Sequence, residues 1–285
     1  MILKKPLLVH LHLYYEDMWN EMQNYLQNLE DYPYELYVTL TTRNEKIIED
    51  IKRFKPDARI FTVANKGYDV WPFLYILNQV NLNDYSYIIK LHTKNSQGID
   101  TRIDKWRLNR KWWKDLLLSS LLGSPAIVKN NLLQLENNPK LGMIGSRYLI
   151  TDNPINYSKV EHKVKEIMAD LGINTPAKIT FVSGTMFITR PELFSIFKDK
   201  YCENDFEGSV MSGEDGRLSH CLERVFGTYI TTAGYQIQGF DKRPYFELTS
   251  LRLSIQRFLF QHKITKSNKL IIKICGIPVY SRRLK

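Results

Sequence analysis

The sequence predicts an α/β fold with a mostly parallel central sheet covered by helices on both faces. Three observations predict it. Short apolar strands alternate with helical stretches from the amino terminus onward. The fourth strand lies in Tyr85 to Ser96 (YSYIIKLHTKNS), whose aromatic and β-branched residues give way to Lys90, His92 and Lys94. The chain of 285 residues is long enough to bury a full core. Ligands of open α/β sheets bind outside the carboxyl ends of the strands, so this basic cluster is placed to meet an anion such as a phosphate or diphosphate. A solvated strand end is the alternative.

Taken in order, Leu7 to Tyr14 alternates as a strand, and Met18, Met22, Tyr25, Leu26 and Leu29 recur at helical spacing. Glu35 to Thr41 is a second strand, Asn44 caps a helix through Phe54, and Arg59 to Ala64 is a third strand. The loop Asn65-Lys66-Gly67-Tyr68-Asp69 leads to a helix over Val70 to Val80, with Pro72 tolerated in its first turn. Asp104 to Leu122 reads as one long helix carrying Trp106, Trp112 and Trp113, with a second helix to about Asn137. Leu141 to Ile150 supplies a strand, and Tyr157 to Leu171 an amphipathic helix ending at Gly172. Ile179 to Arg190 is expected as one strand interrupted at Ser183-Gly184-Thr185, where a glycine signals a bulge or a close backbone approach. A helix from about Arg217 should end at Gly227, with Tyr229 to Ile237 the last core strand. The spacing divides the chain into a main domain over 1–240 and a basic amphipathic tail over 241–285, where Leu251, Ile255, Phe258 and Leu259 form one stripe beside Arg252, Arg257 and Lys263.

A formal net charge of +10 favours anionic partners, namely sugar nucleotides, nucleic acid or an acidic membrane face. Cys202, Cys221 and Cys275 are odd in number and widely spaced, which reads as reduced thiols and argues against a structural zinc site. The amino terminus is too interrupted by His and Lys for a signal peptide, and no run reaches the roughly 18 apolar residues of a membrane span. A cytoplasmic protein is expected. No nucleic-acid-binding motif is visible, and the basic residues cluster at strand ends instead of forming one stripe.

Several constellations can carry chemistry. Lys and His after the fourth strand, in place of an acidic pair, can neutralise a departing diphosphate as a metal would, so no metal is expected. His10 and His12, two apart on the first strand, share a face. They lack a third ligand placed by sequence, so they are expected among the residues that bind an anionic ligand and not a metal. Glu214 and Asp215, between Gly213 and Gly216, are candidates for a general base, and Ser212-x-x-Asp215 is equally a helix capping box. Asn65 and Asp69 can hydrogen-bond a ligand across Gly67, or form a plain turn. Ser183 and Gly184 are a candidate wall of the site. His220, Glu223 and Arg224 share a helical face, either within the site or as a salt-bridged surface.

The segments HLHLYYED (10–17), NKGYD (65–69), IIKLHTK (88–94), SGTMF (183–187) and EDGRLSHCLER (214–224) together resemble the rhamnan synthesis protein F family of bacterial glycosyltransferases. The resemblance spans about residues 6–240 and implies a nucleotide-diphospho-sugar-transferase fold of the GT-A type. It implies that Asn65, Gly67 and Asp69 meet the donor, that His92 and Lys94 face its diphosphate, and that Glu214-Asp215 is the acidic pair before the last catalytic helix, its second member the base. Lys66 and Tyr68 stand where the family more often has arginine, so bidentate contact there is not expected. The implied reaction is inverting transfer of a sugar to a lipid-linked glycan in O-antigen, capsule or rhamnan assembly. Rhamnose from dTDP-rhamnose is the implied donor; the alternatives are a UDP-hexose donor and a non-catalytic protein that binds nucleic acid or a glycan assembly. The tail offers peripheral contact with the inner face of the cytoplasmic membrane.

Overall fold

The computed structural model describes residues 3–94, 101–103, 106–108, 110–154, 160–208, 217–264 and 269–283. The elements in chain order are β1 (Leu7–His12), α1 (Trp19–Leu26), β2 (Tyr34–Leu40), α2 (Glu45–Phe54), β3 (Arg59–Thr62), α3 (Val70–Gln79) and β4 (Tyr87–His92). After them come β5 (Thr101–Ile103), β6 (Trp106–Leu108), α4 (Arg110–Leu122), α5 (Pro125–Asn137), β7 (Leu141–Ile144), β8 (Ile150–Pro154) and α6 (Glu161–Asp170). The rest of the chain forms β9 (Lys178–Val182), β10 (Phe187–Thr189), α7 (Leu218–Thr232), β11 (Gln236–Gln238), α8 (Pro244–Leu259), β12 (Phe260–Ile264), β13 (Lys269–Ile274) and β14 (Ile277–Arg283). Two compact units result: residues 1–95 with 114–241, and residues 96–113 with 242–285.

The first unit is built on a seven-stranded sheet of order β11-β7-β10-β4-β1-β2-β3. Its β1, β2, β3 and β4 are mutually parallel, as are β7 and β11, and β10 runs antiparallel to both β4 and β7. The α/β class with a mostly parallel sheet, expected from the alternation of strands and helices, is therefore the observed one. From β1 the chain steps outward to β2 and β3, then returns to place β4 on the other side of β1. Right-handed crossovers put α1 and α2 on one face and α3 on the other, so the switch point lies between β1 and β4. On the α3 face, Phe73 packs edge-on against Phe187, Phe194 and Phe226 with ring centroids 5.4–6.1 Å apart. Leu8 and Ile88 belong to the same cluster. Side chains two apart share a face of a strand, so His10, His12, Lys90 and His92 also lie on the α3 side. The Asn44 cap holds, its side chain accepting from the Ile47 amide at 3.4 Å.

Four expected elements differ, each because a distant partner overrides the local pattern. The helix expected from Asp104 begins only at Arg110; Thr101–Ile103 and Trp106–Leu108 instead pair as a hairpin in the second unit. There Trp106 and Trp112 pack on Phe246, and the Arg107 amide donates to Ser250 Oγ at 2.9 Å. The strand expected over Leu141 to Ile150 splits into β7 and β8, which belong to different sheets. Ile179 to Arg190 divides likewise: β9 pairs with β8, whereas β10 joins the central sheet. Ser183-Gly184-Thr185 is thus a turn between sheets.

The helix expected to stop at Gly227 runs on to Thr232, and β11 is confined to Gln236–Gln238. Leu222, Val225, Phe226 and Ile230 keep helical spacing and are buried. Gly227 is required by packing, since a Cβ there would stand 2.4 Å from the Thr180 carbonyl oxygen and 2.5 Å from Phe181 Cα. Both obstacles are backbone of β9. The second unit, whose carboxyl-terminal part was expected as an amphipathic tail, follows α8 with the antiparallel meander β12-β13-β14. Among the described residues no single helix is long and apolar enough to cross a membrane.

Gly227→Ala should destabilise the protein by about 1–3 kcal/mol, the cost of forcing extra volume against rigid neighbours. A lowered urea midpoint at unchanged m-value is the expected result. An unchanged midpoint would mean that α7 and β9 can separate without cost.

Candidate active site

The site begins with a buried lysine. Lys90 lies mid-strand on β4, in register with His10 of β1 and Phe187 of β10, and its side chain is 0% exposed. Burial lowers the pKa of an ammonium group, and the Asp69 carboxylate opposes that shift. Lys90 Nζ donates to Asp69 Oδ2, to the Thr185 carbonyl at 2.9 Å and to Thr185 Oγ1 at 3.1 Å, and it lies over the Phe73 ring at 5.5 Å. Its three protons are matched by three oxygens. Burial alone would raise the pKa of Asp69; the charges of His92 and Lys90, with hydrogen bonds from Lys90 and Thr185, hold it below the usual carboxylate range. Thr185 Oγ1 donates to the same carboxylate oxygen.

This clasp joins three separate segments. Asp69 closes the loop after β3, Thr185 the turn before β10, and Lys90 stands on the strand between them. Antiparallel β10 begins where β4 ends, so all three meet at the carboxyl end of the parallel strands, beside the switch point. Thr185 has φ +48° and Gly184 φ +95°, a left-handed pair that a β-branched residue adopts only when surrounding contacts require it. The Gly184 amide donates to Glu223 Oε1 of α7 at 2.6 Å, and its carbonyl lies 2.8 Å from His92 Nε2. His92 Nδ1 is 3.0 Å from the Thr93 carbonyl.

The predicted site residues are therefore placed as follows. His10 Nε2 and His12 Nδ1 both lie 3.0 Å from Thr39 Oγ1, and His10 stacks on Phe73. They do share a face. His92 is buried with both ring nitrogens against carbonyl oxygens, so it braces the Gly184 turn; Lys94, two residues on, is half-buried. Asn65 is exposed and Asp69 partly exposed, whereas Gly67 is buried. Gly67 has φ +61°, and a Cβ there would stand 2.5 Å from the Phe206 ring, so packing and conformation both demand glycine. Ser183 Oγ is 2.9 Å from Thr151 Oγ1. Glu214 and Asp215, with Gly213 and Gly216, lie outside the described residues. Both flanks of that segment reach the Asn65–Asp69 loop: Gly208 pairs with Lys66, and the Arg217 guanidinium lies over the Tyr68 ring while donating to the Gly208 carbonyl at 2.7 Å. His220, in the first turn of α7, stacks on Tyr68 with centroids 5.4 Å apart.

Lys90 was expected, with His92 and Lys94, in a basic cluster facing an anion; it is instead buried and satisfied by Asp69 and Thr185. The signal for this was present, since a lysine flanked by Ile88, Ile89 and Leu91 in a buried strand must find a carboxylate. Among the described residues no group of three or more His, Cys, Asp or Glu is arranged to hold a metal ion.

Two outcomes are expected. Lys90→Met leaves the Asp69 carboxylate without its cation and should cost on the order of 3–5 kcal/mol of stability, read by urea unfolding. Burial also keeps His12 neutral, with its pKa lowered to about 3, and that of His10 well below its ordinary value. The unfolded chain therefore binds more protons below about pH 6.5. Stability complete above that pH should fall towards pH 3 by roughly 1.4 kcal/mol per pH unit for each histidine, and His12→Gln should remove one such contribution. A stability that is flat from pH 7 to 4.5 in the wild type would contradict neutral burial.

The sequence profile of rhamnan synthesis protein F matches residues 1–235. Two uncharacterized WxcX proteins of Xanthomonas campestris pv. campestris, from strains B100 and ATCC 33913, are each 26% identical over 234 residues. That alignment covers 80% of this chain and 32% of each relative, so the chain spans about a third of the length of these curated relatives. Among solved structures, S. aureus TarS residues 1–349 aligns with 89% of this chain and 65% of its own at 9% identity and a TM-score of 0.42. Glucosyl-3-phosphoglycerate synthase of Mycobacterium tuberculosis aligns with 98% of this chain and 90% of its own at 11% identity and a TM-score of 0.29. With the match running from the amino terminus through the whole of α7, the chain belongs to the rhamnan synthesis protein F family.

Proposed function

We propose that the chain is an inverting glycosyltransferase of cell-surface polysaccharide synthesis, drawing a sugar from a nucleotide diphosphate and passing it to a lipid-linked glycan. The observation that carries this reading is the Lys90–Asp69–Thr185 clasp, which gathers three family motifs at the carboxyl end of the sheet. The partly exposed Asp69 edge and Asn65 then offer acceptors to the donor's hydroxyl groups. Lys94 supplies positive charge to the departing diphosphate, and His92 holds the Gly184 turn that walls the pocket. In the transfer step an acceptor hydroxyl attacks the anomeric carbon from the side opposite the nucleotide. Asp215 takes the hydroxyl proton, and the diphosphate leaves with the bonding electron pair. Rhamnose from dTDP-rhamnose is the proposed donor, and a lysine cation in place of a metal makes the reaction metal-independent. A lipid-linked acceptor places the enzyme at the inner face of the cytoplasmic membrane.

The decisive experiment offers dTDP-rhamnose, UDP-glucose, UDP-galactose and a GDP-sugar to the purified chain and measures released nucleoside diphosphate. Release from dTDP-rhamnose that survives EDTA is expected. Release from none of the donors would overturn the enzymatic reading, and loss in EDTA with rescue by Mn²⁺ would overturn metal independence. Asp215→Asn should still bind nucleotide but lose transfer by roughly 10²- to 10⁴-fold. Lys94→Ala should lose on the order of 10²-fold, as when one preorganised electrostatic contact is removed. A larger loss in Glu214→Gln than in Asp215→Asn would exchange the roles of the two acids.

A further inference from the structure

We propose that the second unit carries a docking surface for an anionic lipid bilayer, formed by the outward face of α8 together with the turn between β13 and β14. Two independent observations support it, one apolar and one electrostatic.

Helix α8 has apolar residues on opposite sides. Phe246 and Ser250 point inward, the one packed on Trp106 and Trp112 and the other accepting from the Arg107 amide. Leu248, Leu251, Ile255, Phe258 and Leu259 recur at three- and four-residue steps on the opposite side and are 49–66% exposed. The helix is thus already seated through one face, and its larger apolar face is left outside. The meander extends that face. The Cys275 amide donates to the Leu259 carbonyl at 3.1 Å, and a Cβ at Gly276 would stand 3.8 Å from the Phe258 ring. Ile277 and Val279 follow at 65% and 55% exposure. A contiguous exposed apolar patch of this kind marks an interaction site.

Charge selects the partner. Residues 242–285 contain eleven lysines and arginines and a single acid, Glu247, so this segment accounts for the chain's entire net charge of +10. The preceding 241 residues are formally neutral. An exposed apolar face in so basic a segment has the composition of an element lying in the headgroup region of an anionic membrane. The inference deepens the peripheral placement proposed above and rests on that part of the reading alone.

The test is co-sedimentation of the full chain with vesicles of phosphatidylcholine, alone or with one quarter phosphatidylglycerol. Binding to the mixed vesicles only, weakened by salt, is expected. Leu248→Ser with Leu251→Ser and Ile255→Ser should reduce it at least tenfold with unchanged circular dichroism and thermal midpoint. Arg252→Gln with Arg282→Gln and Arg283→Gln should reduce it at least tenfold and flatten the salt dependence. Equal binding to both vesicles, or undiminished binding by the serine variant, would overturn the proposal. So would a serine variant that turns from dimer to monomer in sedimentation, or tighter binding to duplex DNA than to the mixed vesicles. Sugar transfer plays no part in this readout: vesicle binding without donor turnover keeps the surface and removes the enzymatic reading, and turnover without vesicle binding does the reverse.

Discussion

A lysine ammonium with no exposure to solvent is the constraint on which the central architecture depends. Placing Lys90 in the middle of β4 is tolerable only if its charge is balanced and its protons are all accepted, because an unpaired buried cation costs several kcal/mol. Asp69 and Thr185 meet that demand from segments 21 and 95 residues away in the chain. The loop after β3 and the turn before β10 must therefore both come to the end of β4. The same requirement holds Thr185 in its left-handed conformation, with Glu223 and His92 gripping the adjacent Gly184 from α7 and β4. The Gly184 turn is thereby held from two elements at once.

Close backbone approach is the second theme. Gly227 lets α7 lie directly on β9, and Gly67 lets the loop after β3 fold beneath Phe206. Each glycine stands where a side chain would push an element away from the site. Helix α7 is consequently fixed at both ends of its function: its middle is seated on β9 through Gly227, and its first turn meets the Asn65–Asp69 loop through His220 and Tyr68. Gly208 and Arg217 also meet that loop, through Lys66 and Tyr68.

The formal neutrality of the first 241 residues and the concentrated charge of the remainder divide the chemistry of the chain. Positive charge in the first unit is local and matched, as Lys90 by Asp69 and Lys114 by Glu21 at 2.7 Å. In residues 242–285 lysines and arginines outnumber acids eleven to one.

By itself the sequence determined the α/β class, the first four strands, the helix cap at Asn44 and the shared face of His10 and His12, because periodicity and capping are local properties. It also marked the segments that meet at the site: the loop at 65–69, the basic run at 88–94 and the turn at 183–185. Tertiary structure alone decided what those residues do for one another. Lys90 and His92 read as part of an anion-facing cluster, or as a solvated strand end, until Asp69, Thr185 and Gly184 are seen around them. Gly227 looks like a helix terminator until β9 is seen beneath it, and Trp106 looks helical until Phe246 fills the other side of its hairpin. In each case the deciding partner is tens of residues or more away, and a window of local sequence carries no record of a contact made across that distance.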